Sequence, residues 1–319
     1  MEKALTQRPE FKEESKARQW LESIRWPRGP VCPHCGSESQ DHYKLEGVAH
    51  RDGLYKCKDC REQFTVTVGT VFERSKIKLH IWLQAMHLMC SSKKGISSKQ
   101  LERMLGVTYQ TAWFMSHRIR EAMKSPGGIL GGGGKTVEAD ETYIGRKPGR
   151  KIKTGVGHKH AVFSLVERGG KARSWHVVST MANTLRPIMD ENLAKDSNLM
   201  TDEAGQYRII GPDYISHETV RHVDKEYVRG NAHTNTIEGF FSIFKRGVIG
   251  TFHHVSEQHL QRYLSEFDFR YNHRETRTKD AAGNTIKGGF TDAERTMAVA
   301  KGIGGKRLTY RRINGAAQD

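Results

Sequence analysis

The chain has 319 residues with 52 Lys+Arg against 36 Asp+Glu, a formal charge of +16, and a mean hydropathy of −0.67. That length supports two or three domains, and no stretch approaches the ~18 consecutive apolar residues of a membrane span. Residues 1–20 lack the apolar run of a secretory signal, so the expected setting is cytoplasmic, nucleoid-associated and thiol-reducing, and the basic excess points to nucleic acid as partner.

The first predicted element is a helix over residues 10–25, where Phe11, Trp20, Leu21 and Ile24 recur at helical spacing before Trp26-Pro27-Arg28-Gly29-Pro30 stops it. Residues 1–31 then read as a helix packing on the next segment. That segment holds two pairs, Cys32-Pro-His-Cys35 and Cys57-Lys-Asp-Cys60. Each CxxC bends the backbone into a knuckle that presents two thiolates to one metal, and two knuckles complete a tetrahedral site. Four thiolates close the shell, so Cys32, Cys35, Cys57 and Cys60 are expected to hold one structural Zn²⁺ in a β-rich zinc ribbon over residues 32–72. In a ribbon with so little core, ~10–16 kcal/mol of metal binding is coupled to folding. The alternating run at 64–68 predicts a strand within it, and the fifth cysteine, Cys90, reads as core.

Residues 73–126 read as three helices. Ile81-Trp82-Leu83, Met86 and Leu88-Met89 mark the first, 99–105 the second behind Ser97 or Ser98 as cap, and 109–123 the third after the turn Gly106-Val107-Thr108. This is helix-turn-helix spacing, with Thr108 capping a recognition helix. Ala112, Met115, Ile119 and Ala122 form its inward stripe, leaving Gln110, His117, Arg118 and Arg120 as candidates to meet DNA. The glycine-rich stretch at 127–135 then reads as a linker; no GxxxxGK[ST] pattern follows, which argues against a nucleotide loop.

From residue 136 to 275 the pattern predicts strands at 136–145, 161–167 and 174–179, a helix at 183–194, and a fourth strand at 199–202. A short helix near 204–210, a strand around 219–223, and helices at 235–247 and 256–272 complete it. Three strands, a helix, a strand and further helices is the element order of a ribonuclease H-like α/β fold. On this frame Asp140 lies mid-strand, sharing a face with Glu138 while Glu141 points oppositely. Asp202 closes the fourth strand. Glu238 belongs to a polar stripe with Asn235, Ser242 and Lys245, opposite the apolar Ile237, Phe240, Phe241, Phe244 and Val248. Carboxylates brought together repel unless a divalent cation sits between them, so this trio is a candidate metal-dependent phosphoryl-transfer site.

The segments HTNTIEGFFSIFKRGVIGTFHHVSEQHLQRYLSEFDFRYNHR, VEADETYIGRK, TDEAGQY and CPHCGS together resemble the DDE transposases of bacterial insertion sequences that carry an N-terminal zinc ribbon. The resemblance covers residues 15–275. It implies that the acids of DETYIG, TDE and NxxEGFF, here Asp140, Asp202 and Glu238, form the catalytic triad and bind two Mg²⁺ ions, with Mn²⁺ as substitute. It further implies hydrolytic nicking at the element's ends and transfer of the freed 3′-hydroxyl into target DNA, by two-metal-ion phosphoryl transfer. The partners would be double-stranded DNA, both element ends and target, and a homo-oligomer of at least two chains on it. Lys245 and Arg246 beyond Glu238, and the loop with Lys147 and Arg150, are expected to hold DNA phosphates. A non-catalytic DNA-binding protein and a ribonuclease H-like nuclease are the alternative readings. Residues 276–319 lie outside the resemblance and read as a C-terminal extension, a helix plus a basic arm containing Lys306-Arg307 and Arg311-Arg312.

Overall fold

The computed structural model describes residues 7–147, 149, 151, 154–220, 228–279, 285–306 and 308. The chain divides into two units, residues 1–123 with 275–319, and residues 124–274. Among the described residues no helix is long and apolar enough to cross a membrane.

In the first unit, helix α1 (Glu14–Arg25) buries Ala17 and Leu21. The ribbon follows as a three-stranded antiparallel sheet of β1 (Tyr43–Leu45), β2 (Leu54–Lys56) and β3 (Gln63–Phe64), in that order. Trp26, from the segment that ends α1, stands edge-on to Tyr55 and Phe64 at 5.5 and 5.7 Å, so the helix stop also supplies the ribbon's core. The expected strand at 64–68 ends at Phe64. Thr65 and Thr67 bond each other through their hydroxyls at 2.9 Å, Val68 N–H returns to Thr65 O at 3.1 Å, and Arg25 donates to Val66 O. Local threonine bonds and a side-chain donor thus take the groups a strand would need.

Helices α2 (Leu79–Ser91), α3 (Ser98–Leu105) and α4 (Tyr109–Met123) follow. Ser97 caps α3 by accepting from Gln100 N–H at 3.1 Å, and Gly106 ends it in the left-handed region at φ 65°. Thr108 Oγ1 accepts from Thr111 N–H at 3.3 Å at the start of α4.

In the second unit, the glycine-rich run does not hang free. Leu130 is buried and bridges Leu193, while the N–H groups of Gly131, Gly132 and Gly133 donate to Glu167, Ser197 and Asp196. Gly131 has φ 74°, and a Cβ there would lie 2.0 Å from Ser197 Oγ, which explains a glycine at that point. The run leads into β4 (Thr136–Ile144), β5 (His160–Glu167), β6 (Ala172–Val177), α5 (Ala182–Asn192), β7 (Asn198–Asp202), α6 (Gly205–Ile210), β8 (Ser216–Val220), the short ladder of β9 (Val228–Arg229) with β10 (Ala232–His233), α7 (Asn235–Gly247) and α8 (Glu257–Asn272). The five-stranded sheet is mixed, in the order β6-β5-β4-β7-β8, with β4, β5 and β6 antiparallel and β7 and β8 parallel to β4. One face packs Val137, Ala139, Phe163 and Leu165 against α5 and α6 through Leu185, Met189 and Tyr207. The other packs Val162, Val166 and Ala172 against Phe240, Phe244 and Leu264 of α7 and α8. Strand β4 is central and covered on both sides, which is why the consecutive residues Val137, Glu138 and Ala139 are all buried.

The chain then returns to the first unit as a hairpin, β11 (Glu275–Lys279) with β12 (Thr285–Gly289), and helix α9 (Asp292–Lys301), opened by a capping box between Thr291 and Glu294. Helix α9 packs on α1, α2 and α4, and Arg295 donates to Cys90 O at 3.4 Å. The C-terminal segment corrects part of the recognition-helix reading. Arg118 and Arg120 are buried at 6% and 1% exposure, and His117 is wholly buried. Arg118 Nε donates to Leu308 O at 3.1 Å with its guanidinium 4.8 Å over the Phe114 ring, and Arg120 donates to Ser116 Oγ at 2.9 Å. A strand-like or helical period shows one buried stripe, but this helix is covered on a second side by chain nearly two hundred residues away. Lys306 Nζ lies 3.4 Å from Ala122 O, and Arg307, Arg311 and Arg312 of the expected basic arm lie outside the described residues.

Candidate active site and zinc ribbon

Asp140 and Asp202 are set by sheet register. In the parallel pair of β4 and β7, Glu138 stands opposite Met200, so two residues further along both strands Asp140 and Asp202 are level on neighbouring strands and point to one side. Asp140 is also paired with Ser164 on β5, whose face looks toward α7 and α8. Glu238 sits in the first turn of α7, whose other side buries Ile237, Phe240, Phe241 and Phe244. Asp140, Glu141, Glu238, Lys245 and Arg246 line one open cleft of about 590 Å³.

Each acid also has a local bond. Asp140 Oδ1 accepts from Glu141 N–H at 2.7 Å, Asp202 Oδ1 from Ala204 N–H at 3.0 Å, and Glu238 Oε1 from the Thr234 hydroxyl at 2.9 Å. Burial, then the charges of Glu141, Asp202 and Glu238, push the Asp140 carboxyl up to about 8. Among the described residues, two groups bring three or more ligand atoms within 4.8 Å of one another: the four ribbon cysteines, and His160 with His176 and Glu257; the three acids are not among them. Burial is the first cause of the raised Asp140 carboxyl and the neighbouring carboxylates are the second, and an all-oxygen donor set of this kind fits a hard cation such as Mg²⁺.

Two acids next to Asp140 have roles that the sequence pattern did not supply. Glu138 is wholly buried, accepting from Arg168 Nε at 2.7 Å and from Ile237 N–H at 2.8 Å. Arg168 in turn donates to the carbonyls of Asn231 and His233, both at 2.8 Å. Glu138 therefore ties β4, two residues before Asp140, to the first turn of the helix that carries Glu238. Its place on the Asp140 face was readable from alternation; its partner, almost a hundred residues away, was not. Glu141, on the other face, accepts from the Tyr207 hydroxyl at 2.6 Å, and burial pushes its carboxyl up to about 7 against the pull of Tyr207 and Gln206.

Of the expected DNA contacts, Lys245 and Arg246 are exposed in the cleft with Asp140 and Glu238. Lys147 is half-buried, and Arg150 lies outside the described residues. Gln110 is exposed at the start of α4 in the other unit, while Arg118 and Arg120 are withdrawn by burial.

In the ribbon, Cys32 Sγ lies 3.7 Å from Cys60 Sγ, and Cys35 Sγ lies 3.7 Å from Cys57 Sγ. A disulfide needs ~2.05 Å, whereas four thiolates at ~2.3 Å from one zinc stand ~3.8 Å apart, so the spacing fits a structural zinc. The two knuckles repeat one device. Gly36 and Arg61, each four residues after the first cysteine of its pair, are both left-handed, at φ 76° and 63°.

Residues 129–272 match the model of the ISXO2-like transposase domain, and residues 12–63 that of the transposase zinc-ribbon domain. The chain is 31% identical over 279 residues to an uncharacterised protein in transposable element ISH50 of Halobacterium salinarum, spanning 82% of this chain and 91% of that protein. An uncharacterised transposase-like protein of Haemophilus influenzae is 26% identical over 103 residues, 32% of this chain and 82% of that one. Zinc ribbon, mixed sheet and these matches define a transposase with an N-terminal zinc-ribbon domain. The chain belongs to the ISXO2-like transposase family.

Proposed function

We propose that this chain is a DDE transposase that nicks the ends of its insertion sequence and transfers the freed 3′-hydroxyl into target DNA, with Asp140, Asp202 and Glu238 as its catalytic carboxylates. The observation that carries this reading is register: the β4–β7 ladder, carried two residues past its Glu138–Met200 pair, sets Asp140 level with Asp202, whose charge acts on it, and Glu238 enters the cleft that Asp140 lines. The sheet order β6-β5-β4-β7-β8, with three antiparallel strands, two parallel ones and helices on both faces, supports a ribonuclease H-like fold. The α3–turn–α4 pair with its Gly106 and Thr108 junction supports a helix-turn-helix, for which Gln110 is the exposed candidate on α4.

The donor set suits two Mg²⁺ ions, with Mn²⁺ as substitute, and a bound cation would offset the burial and the neighbouring charges that lift the Asp140 carboxyl. Held by Asp140, Asp202 and Glu238, such ions would activate the attacking oxygen and stabilise the leaving one in an in-line displacement. The chain's own part is positional. Asp140 and Asp202 are fixed by the sheet, and Glu238 by a helix that Glu138 and Arg168 tie to β4. Lys245 and Arg246, exposed in the same cleft, hold phosphate oxygens beside the scissile bond. No side chain is needed as a covalent nucleophile. Joining two DNA ends in one event calls for at least two chains on DNA. The test is incubation of the purified chain with Mg²⁺ and DNA carrying the element's ends: the parent nicks and joins, and Asp140→Asn, Asp202→Asn and Glu238→Gln each do neither. Nicking by these variants at the parent rate refutes the assignment.

A further inference from the structure

The catalytic unit contains a second cluster with metal-ligand chemistry, outside the acid cleft and outside the ribbon. His160 opens β5, His176 lies on β6, and Glu257 is the first residue of α8. Because Val162 stands opposite His176, His160 lies two residues along the same face, so both imidazoles look toward α8. Their rings meet edge-on with centroids 5.6 Å apart, and the two ligand nitrogens and a carboxylate oxygen all fall within 4.8 Å of one another.

The distances choose between hydrogen bonding and a shared ion. Glu257 Oε1 stands 3.8 Å from His160 Nδ1 and 3.7 Å from His176 Nε2. Both are too long for hydrogen bonds. They approach the ~3.3–3.5 Å edge of a tetrahedron whose centre is ~2.0–2.2 Å from each donor. His160 Nδ1 is the second observation: its side chain is 3% exposed, and this nitrogen has no hydrogen-bond partner among the described residues. A buried, unpaired ring nitrogen is costly, and a metal ion is a partner that also explains why a carboxylate and a second imidazole stop just beyond bonding range.

The framework is built to hold that geometry. Gln261 of α8 brackets His176, accepting from its backbone N–H at 2.9 Å and donating to Ser174 O at 2.9 Å, so strand and helix are locked beside the ligands. Lys147 lies near enough to affect His176 and opposes a cation there, while the Glu257 carboxylate offsets it.

We propose that His160, His176 and Glu257 bind one Zn²⁺ ion, with water in the remaining position, which staples the β5–β6 edge of the sheet to the start of α8. The site is four residues along β5 from the partner of Asp140, ~13 Å away, and serves to fix the sheet on which that acid sits. The proposal does not depend on the transposase reading.

The test is zinc stoichiometry of the full-length chain, purified with zinc and freed of excess by gel filtration. The parent is expected to hold two equivalents. His176→Gln should hold one, Cys57→Ser should hold the other, and the combined variant none. With Co²⁺ in place of zinc, thiolate-to-metal absorption should vanish in Cys57→Ser and persist in His176→Gln. Because a histidine variant could unfold the domain, Glu257→Ala, at a half-exposed position, is the second arm. It should keep its circular dichroism while releasing the second equivalent to a competing chelator at least tenfold more readily. One equivalent in the parent, unchanged by His176→Gln, or unaltered release from Glu257→Ala, overturns the proposal.

Discussion

Glu138→Gln is the sharpest perturbation of the frame that holds the acids. The parent carboxylate accepts from Arg168 on one oxygen and from Ile237 N–H on the other, with no exposure to water. The amide is nearly isosteric, yet whichever way it turns it aims a donor at one of these two donors. Breaking one side of a buried pair costs ~3–5 kcal/mol, and here the loss is smaller because one bond survives and Arg168 keeps its bonds to Asn231 and His233. That leaves about 2–3 kcal/mol. Since 1.4 kcal/mol is tenfold, amides of α7 should exchange ~30–150-fold faster. Hydrogen exchange with mass spectrometry on peptides spanning 235–247 reads this directly, and peptides from 79–91, in the other unit, serve as the internal reference. Strand transfer should fall in parallel, because the helix that carries Glu238 has lost its tie to β4. Acceleration below ~3-fold would mean that the Glu138 contacts do not hold α7, and the positional argument would fail.

Asp268 on α8 is buried under β6, and burial pushes its carboxyl up to about 7 despite bonds from Ser174 N–H and Oγ at 2.8 and 2.7 Å and the nearby charge of Arg173. The folded state therefore holds a proton that the unfolded chain gives up near 4. This contribution is full below that value, falls as pH rises toward 7, and levels off above it, by ~2–4 kcal/mol in all. Asp268→Asn should flatten that decline in urea titrations between pH 4.5 and 7.5; an unchanged slope contradicts it. Arg61, a non-glycine residue at φ 63°, strains the second zinc knuckle, so Arg61→Gly should slow zinc loss and stabilise the ribbon by ~1 kcal/mol, measured by chelator competition. Arg118→Ala should lower the melting temperature of the N-terminal unit through lost packing, whereas Gln110→Ala should leave it unchanged and weaken binding to element-end DNA.

Local chemistry made much of this legible. The four cysteines announce their site through spacing, and α4 and α7 begin and end where the sequence pattern placed them because Thr108, Gly106 and an unbroken apolar stripe mark them. The level placement of Asp140 and Asp202 needed a strand pairing that no local pattern contains. The same holds for Arg118 and Arg120, whose second covering layer arrives from the far end of the chain. At 64–68 the alternation was real, but threonine hydroxyls and Arg25 satisfied the backbone locally and ended the strand. The hairpin of β11 and β12 went unread because its sequence, rich in charge and glycine, lacks an apolar period. His160, His176 and Glu257 meet only through the β5–β6 register and the docking of α8, so their grouping could not be read along the sequence.

The most direct measurement of the central claim is single-turnover strand transfer with pre-cut element ends bearing free 3′-hydroxyls, Mg²⁺ and a target plasmid. The parent should give joined products, and Asp202→Asn should bind the same ends with undiminished affinity while joining at least a thousandfold more slowly. Joining by Asp202→Asn at the parent rate, or product from the parent in the presence of excess chelator, would contradict the account.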